Sequence, residues 1–261
     1  VEYNYTKVIK ENFITIVEVN NPPANMLSSA CIDELRARFN TLADDEETRA
    51  VIVTGAGRFF IAGADIKEFV SALGDEEKGL AMAEAGQALC NEIETMNKPV
   101  VAAINGSALG GGLELAMSCH YRIASNSATL GLPELKLGLL PTFGGTQRLA
   151  RITGTANALD LILTSKQLSA EEAVNLGIIQ LVASENEVLE TAVAIANTLV
   201  EGKSMTSVSR VVECIIQGNQ EPLDDGLKRE REKFAELFLT NDAKEGIQAF
   251  IEKRKPDFLH S

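Results

Sequence analysis

The sequence predicts an α/β core followed by an all-helical C-terminal segment. Three observations carry this. Strand-length runs alternate with helical patterning through the first part of the chain. Two of those runs, Ala50-Val51-Ile52-Val53-Thr54 and Pro99-Val100-Val101-Ala102-Ala103-Ile104, are apolar nearly throughout, the mark of a buried strand. From about residue 185 onward only helical spacing remains.

Residues 13–19 are rich in β-branched side chains and read as the first strand. Ser28 or Ser29 can then cap a helix, with Asp33 and Glu34 early in it. Ile32, Leu35, Phe39 and Leu42 recur on one face of that helix. The run from Ala50 ends at Gly55 and is a second strand. Residues 75–96 read as a second helix, and the run from Pro99 as a third strand stopped by Asn105-Gly106. This order suggests crossover connections between strands. Gly110-Gly111-Gly112 precedes a helix-favouring stretch to Ser118, and a further strand is expected from His120 to Ala124. Residues 131–145 form a loop region punctuated by Pro133, Pro141 and Gly144-Gly145. Helices follow over 146–163. Ser169 with Glu172 makes a capping box, Gly177 ends that helix, and 178–182 is the last strand. Val188, Leu189, Val193 and Ala196 share a helical face, as do Phe234, Leu237 and Phe238. The division is placed at 1–195 for the core and 196–261 for the helical domain. A helical tail of this kind either packs on its own domain or builds an interface.

With 261 residues, 45% hydrophobic and 23% charged, the chain has ample material for a buried core. Its net charge is −13. A surface this acidic repels phosphate backbones and anionic headgroups, which argues against nucleic-acid or membrane-surface binding while leaving room for a local basic pocket. Cys31, Cys90, Cys119 and Cys214 are scattered, without a C-x-x-C pair. Free thiols in a reducing compartment follow, and a cytoplasmic location is expected. Val1-Glu2-Tyr3-Asn4-Tyr5 carries no signal-peptide pattern, although a transit peptide already removed would leave no trace. No run of about 18 apolar residues occurs.

Only two histidines are present, His120 and His260. His260 is the penultimate residue, where chains fray. A structural or surface role fits His120 better than catalysis. A Ser-His-Asp triad and a histidine-built zinc site are both disfavoured, and no metal is expected. Gly55-Ala56-Gly57-Arg58-Phe59-Phe60 starts like a dinucleotide fingerprint but has Phe60 where a third glycine belongs. Neither a G-x-S-x-G nor a phosphate-loop motif occurs.

Two segments remain: Arg58-Phe59-Phe60-Ile61-Ala62-Gly63-Ala64-Asp65-Ile66-Lys67 and Asn105-Gly106-Ser107-Ala108-Leu109-Gly110-Gly111-Gly112-Leu113-Glu114-Leu115-Ala116. Each is a small-residue turn beside an apolar element. Glycines admit close approach to the backbone, and a glycine run opening a helix leaves N–H donors unpaired at the positive end of its dipole. Two such turns face to face would offer two N–H groups to one developing oxyanion. Either turn alone is read more simply as a tight turn and nothing more.

Together, in order, these segments resemble the signature of the crotonase (enoyl-CoA hydratase/isomerase) superfamily. Ala62-Gly63-Ala64-Asp65-Ile66-Lys67 is similar to its A-G-A-D-x-K element, and Asn105 through Glu114 to its N-G-x-A-x-G-G-G-x-E element. Pro133-Glu134, the stretch Gly144-Gly145-Thr146-Gln147-Arg148-Leu149, and the terminal Asp242-Ala243-Lys244-Glu245-Gly246 and Phe250-Ile251-Glu252-Lys253-Arg254-Lys255 extend the likeness over nearly the whole chain. The nearest likeness is to short, single-function bacterial enoyl-CoA hydratases.

The resemblance implies a spiral of repeated β-β-α units with an all-helical C-terminal domain. It implies a homotrimer or a homohexamer of two trimers, and an acyl-CoA thioester substrate whose CoA is part of the substrate, so that no separate cofactor is needed. It implies reversible syn addition of water across the C2–C3 double bond of a 2-trans-enoyl-CoA, as in fatty-acid β-oxidation. Glu114 and Glu134 would be the catalytic pair, Glu114 as the ionised base and Glu134 as the protonated donor to C2. The backbone N–H groups of Ala64 and Gly111 would form the oxyanion hole. Ala62, Ala64, Asp65, Ile66, Lys67 and Gly111 would line the substrate and CoA site, with Lys67 near the 3′-phosphate and Lys253 reaching it from a neighbouring subunit. Alone, Glu114 could be a surface helix glutamate and Glu134 a loop carboxylate. The apolar neighbours Leu113, Leu115 and Ala116, and Leu132, Pro133 and Leu135, argue instead for desolvated carboxyls. Phe143 is placed to narrow the acyl pocket. The competing readings are another crotonase-type reaction such as double-bond isomerisation, a non-catalytic RNA-binding protein, which the net charge disfavours, and a multienzyme component docked through its helical tail.

Overall fold

The computed structural model describes residues 3–260; Val1 and Glu2 of the N-terminal reading lie outside the described residues. The chain opens with two strands, β1 (Thr6–Glu11) and β2 (Ile14–Val19), paired antiparallel. Helix α1 (Ser29–Asp44) leads to β3 (Ala50–Gly55) and the short β4 (Phe59–Ile61). Helices α2 (Ile66–Ala72) and α3 (Glu76–Glu94) precede β5 (Val100–Ile104) and β6 (Ser107–Leu109). Helix α4 (Gly111–Ser118) precedes β7 (Tyr121–Ser125) and β8 (Thr129–Gly131). A 3₁₀ turn, Glu134–Leu137, and helices α5 (Gly145–Thr153) and α6 (Thr155–Thr164) follow. Then come β9 (Gln167–Ser169), α7 (Ala170–Asn175), β10 (Leu181–Ala183) and helices α8 (Val188–Val200), α9 (Met205–Gly218), α10 (Leu223–Leu237) and α11 (Asn241–Glu252).

The strands form two sheets. One has the order β1-β2-β3-β5-β7-β10, and the other β4-β6-β8-β9. Each strand pair from β3–β4 through β7–β8 adds one strand to each sheet, with helices α2 and α3 and then α4 between the pairs, which is the repeating spiral that the resemblance implied. The six-stranded sheet is parallel from β2 to β10, and its central strands β3 and β5 are buried on both faces, which explains their continuous apolar runs. Along β3, Val51 and Val53 join the main core, while Ala50 and Ile52 face the other way. The opposite face is covered by α8, whose Val188, Ala192, Ala196 and Val200 recur every fourth residue and are all buried. The small side chains on this stripe let the helix lie close to the sheet.

The expected division at 195/196 falls within α8. That helix belongs to the sheet because its buried stripe completes the outer core, and the separate helical segment starts with α9. Helices α9 and α10 pair with each other and bury no residue fully. Phe234, Phe238, Leu239 and Phe250 are exposed on this segment, with the Phe234 and Phe238 rings in edge contact at 5.1 Å.

Several local expectations hold. Ser28 caps α1 by accepting the Cys31 N–H at 3.2 Å, and Ser169 and Glu172 form the reciprocal capping box. The strand expected over 178–182 is instead β10 at Leu181–Ala183, because Ile178 and Ile179 are used as buried core residues before pairing begins. His260 does not fray: its N–H and that of Leu259 donate to Asp242 Oδ1 at 3.0 and 2.8 Å, and its Nδ1 accepts the Met205 N–H. His120 is structural. Its Nδ1 accepts the Val100 N–H at 2.9 Å, which leaves Nε2–H to donate to the Glu94 carbonyl at 3.0 Å. Cys31, Cys90 and Cys119 are buried free thiols, each pushed up to about 12 by desolvation, and Cys214 on α9 is half-buried.

Candidate active site

Strands β4, β6 and β8 are parallel neighbours, so their C-terminal ends emerge side by side. The chain turns there three times: at residues 62–65 before α2, at Gly110 before α4, and at Pro133 before the 3₁₀ turn. Crevices at the carboxyl ends of parallel strands are where such folds bind ligands. The three turns enclose a cavity of about 290 Å³, together with Thr142 and Phe143 and an apolar wall that includes Phe69 and Met82.

The two small-residue turns are in contact. A Cβ built on Gly63 would lie 3.4 Å from the Leu109 carbonyl oxygen, and one on Gly110 3.9 Å from the Gly63 Cα. Ala64 forms a single parallel bridge with Leu27. Its bonds run from the Leu27 N–H to the Gly63 carbonyl (2.8 Å) and from the Asp65 N–H to the Leu27 carbonyl (3.0 Å). In that pattern the N–H of Ala64 faces the edge away from Leu27. Neither the Ala64 nor the Gly111 amide has a backbone or side-chain acceptor among the described residues. Gly110 must be glycine for two reasons: its φ is +52°, and a Cβ would sit 2.6 Å from Glu134 Oε1.

Helix α4 is buried along its whole length, so Glu114 in its first turn is buried too, at 2% exposure. Its Oε1 accepts the Gly145 N–H at 2.7 Å, a free donor at the N-terminus of α5. Desolvation pushes the Glu114 carboxyl up to about 8; the Gly145 and Phe143 N–H groups and Arg148 pull it down, while Glu134 adds to the rise. Glu134 is half-buried, and its Oε2 is buried without a partner among the described residues. Desolvation raises its carboxyl as well. The expectation of an ionised Glu114 therefore meets a group whose burial favours the protonated form. Two raised carboxyls on one cavity can share a proton, as general acid–base work requires.

Of the residues singled out from sequence, Ala62, Ala64, Asp65, Ile66, Gly111, Glu114 and Glu134 all line the cavity. Lys67 and Lys253 do not line it. Lys67 is exposed on α2, beyond Asp65, whose side chain caps that helix by accepting the Lys67 N–H. Lys253 is exposed at the end of α11. Phe143 does line it, its ring packed against Gly111 and Gly86. Sequence reasoning missed the Gly145 N–H that holds Glu114. It also missed Asn25, whose amide donates to the Ala56, Phe59 and Phe60 carbonyls and so fixes the approach to β4. No group of three or more His, Cys, Asp or Glu suited to a metal ion occurs among the described residues, and no helix there is long and apolar enough to cross a membrane.

The family model for enoyl-CoA hydratase/isomerase matches residues 9–261. The chain belongs to the enoyl-CoA hydratase/isomerase family. Among the relatives of this hydratase/isomerase-family chain is a probable enoyl-CoA hydratase of Bacillus subtilis, 48% identical over 98% of both chains. A short-chain-enoyl-CoA hydratase of Clostridium acetobutylicum is 41% identical over 97% of both. The crystal structure of an enoyl-CoA hydratase from Bacillus anthracis superposes with a TM-score of 0.92 at 37% identity, covering 99% of this chain and all of that one.

Proposed function

We propose that the protein hydrates 2-enoyl-CoA thioesters to 3-hydroxyacyl-CoA, reversibly and with syn addition. The observation that carries this is the cavity itself: two desolvated carboxyls, Glu114 and Glu134, share it with two amides lacking protein acceptors, those of Ala64 and Gly111. The thioester oxygen would accept both N–H groups as enolate charge develops on it, and losing one such donor typically costs about 3 kcal/mol. Glu114 would take the proton from water as oxygen attacks C3, and Glu134 would deliver a proton to C2. The N–H groups and the Arg148 charge beside Glu114 favour its anion, and the unpartnered Oε2 of Glu134 suits a neutral acid. The competent pair carries one proton. Backbone donors supply the electrophile, so the reaction needs no metal or separate cofactor.

Lys67 and Lys253 are the cations proposed to approach the CoA phosphates, Lys253 across a subunit boundary. The exposed aromatic and aliphatic side chains of α10 and α11 suit burial in a homotrimer or a hexamer of two trimers. The free thiols suit a cytoplasmic setting, and fatty-acid breakdown is the pathway class that uses such a hydration.

The test is loss of the enoyl thioester absorbance of crotonyl-CoA. Wild type is expected to form 3-hydroxybutyryl-CoA, and folded Glu114→Gln and Glu134→Gln each to lose at least about 10²-fold in rate. Wild-type protein that shifts the double bond of a 3-enoyl-CoA but leaves crotonyl-CoA untouched would replace the hydratase reading with an isomerase. Variants as fast as wild type would remove the two glutamates from the mechanism.

A further inference from the structure

Glu114 is held by a turn that has no regular structure of its own. Residues 142–144 lead from the loop after the 3₁₀ turn into Gly145, the first residue of α5, and the N–H groups of Phe143 and Gly145 face the Glu114 carboxyl. The same turn is gripped from its other side. Gln87 of α3 donates to the Thr142 carbonyl at 2.9 Å. Arg148, one turn into α5, donates its Nη1–H to the Phe143 carbonyl at 3.0 Å. Arg148 is in turn docked on α3. Its Nη2 donates to Asn91 Oδ1 at 2.8 Å and to Glu94 Oε2 at 2.8 Å, and its Nε donates to Glu94 Oε1 at 3.2 Å. The Nη1 end of the guanidinium abuts Gly144, where any Cβ would meet it at 2.1 Å. Its side chain is only 11% exposed.

We propose that Arg148 is a positioning residue for Glu114, clasping the 143–145 turn to α3 so that the turn's N–H groups stay aimed at the carboxylate. The proposal rests on the reading of Glu114 as the base of hydration. Arg148 does not itself line the cavity; it acts through the carbonyl of Phe143, which does. The geometry suits arginine alone, because one planar fork serves a carboxylate, an amide oxygen and a carbonyl at once. A lysine ammonium at this place keeps the charge but cannot span all three. The charge has a second effect. The groups facing Arg148 are Glu94, Asn91 and Cys90 on α3, Glu114 on α4, Cys119 just after α4 and the Phe143 carbonyl; Glu114 itself also faces Glu134 and Cys90, and both Cys90 and Cys119 are neutral thiols. The guanidinium thus favours the ionised form of Glu114 against the desolvation that opposes it.

The experiment measures kcat and KM for crotonyl-CoA as a function of pH in wild type, Arg148→Met, Arg148→Lys and Glu94→Gln, with circular dichroism to establish folding. Arg148→Met is expected to lower kcat at least about 10-fold with little change in KM. It should also move the acidic limb of kcat/KM upward by at least about 0.5 pH unit, since the anion of Glu114 loses a favourable charge. Arg148→Lys should keep the wild-type limb yet not recover kcat. Glu94→Gln should lower kcat by undocking the fork. A folded Arg148→Met with the wild-type kcat and limb overturns the proposal, as does a loss of activity that only tracks the unfolded fraction with an unchanged pH profile. Should Arg148→Met fail to fold, wild-type kcat in both Arg148→Lys and Glu94→Gln overturns it equally. Failure of the underlying reading shows separately, as wild type that does not hydrate crotonyl-CoA or Glu114→Gln that is as fast as wild type.

Discussion

At the scale of the residue, Glu114 sets stability against function. Burial raises its carboxyl from 4.5 to about 8. A group raised on folding contributes fully below its unfolded value and loses that contribution as pH rises through the folded one. Glu114→Gln stays neutral at every pH and keeps an oxygen for the Gly145 N–H. The variant is therefore expected to match wild type near pH 4 and to exceed it by at least about 1 kcal/mol at pH 9, as read from urea unfolding at the two pH values. Equal stability at both would mean that Glu114 is ionised in the folded protein without cost. Gly145 shows why the neighbourhood is so restricted: a Cβ there would lie 2.7 Å from Glu114 Oε1. Both carboxyls were legible in the sequence through their apolar neighbours and their motif. The groups that hold Glu114 were not, because the Gly145 N–H meets it and Arg148 braces the adjoining turn only once the chain is folded, and nothing in a glycine or an α5 arginine announces which distant oxygen it serves.

At the scale of the element, α4 differs from an ordinary amphipathic helix because water reaches none of its faces. Its second residue, Gly112, packs directly on β4: a Cβ there would be 2.1 Å from the Ile61 carbonyl oxygen, a backbone atom that cannot swing aside. Gly112→Ala is expected to cost about 2 kcal/mol or more, seen as a lower denaturation midpoint, and to lower hydration because Gly111 and Glu114 move with the helix. An unchanged midpoint would show that β4 and α4 can separate freely. Legibility at this scale followed length and burial. The central strands β3 and β5 were visible as apolar runs because both their faces are covered. The three-residue strands β4, β6, β8 and β9 were not, since three residues cannot display a period. Edge strand β1, Thr6–Glu11, is largely exposed and carries no apolar run. The turns after β4, β6 and β8 were nonetheless recognised by their glycines and motifs, so the site was legible where the sheet beneath it was not.

At the scale of the whole molecule, the two cores divide the work. The main core holds the turns of the cavity, and the smaller one fastens α8 across the back of the sheet. Within the helical segment, buried Asp242 of α11 accepts from Ser204 Oγ at 2.6 Å, at the start of α9, and from the Leu259 and His260 N–H groups. The segment's exposed phenylalanines suit subunit contact, and light scattering of the purified protein is expected to give the mass of three or six chains; a monomer would leave those side chains without an explanation.

The placement of the four thiols has a practical consequence. Cys31, Cys90 and Cys119 are sealed in the interior and hold their protons to about pH 12, so an alkylating dye meets neither access nor a thiolate there. Cys214 alone is partly open, on α9. A maleimide fluorophore added to the native enzyme should thus attach at one place per chain at most, and its emission would report from the helical segment without any engineered cysteine.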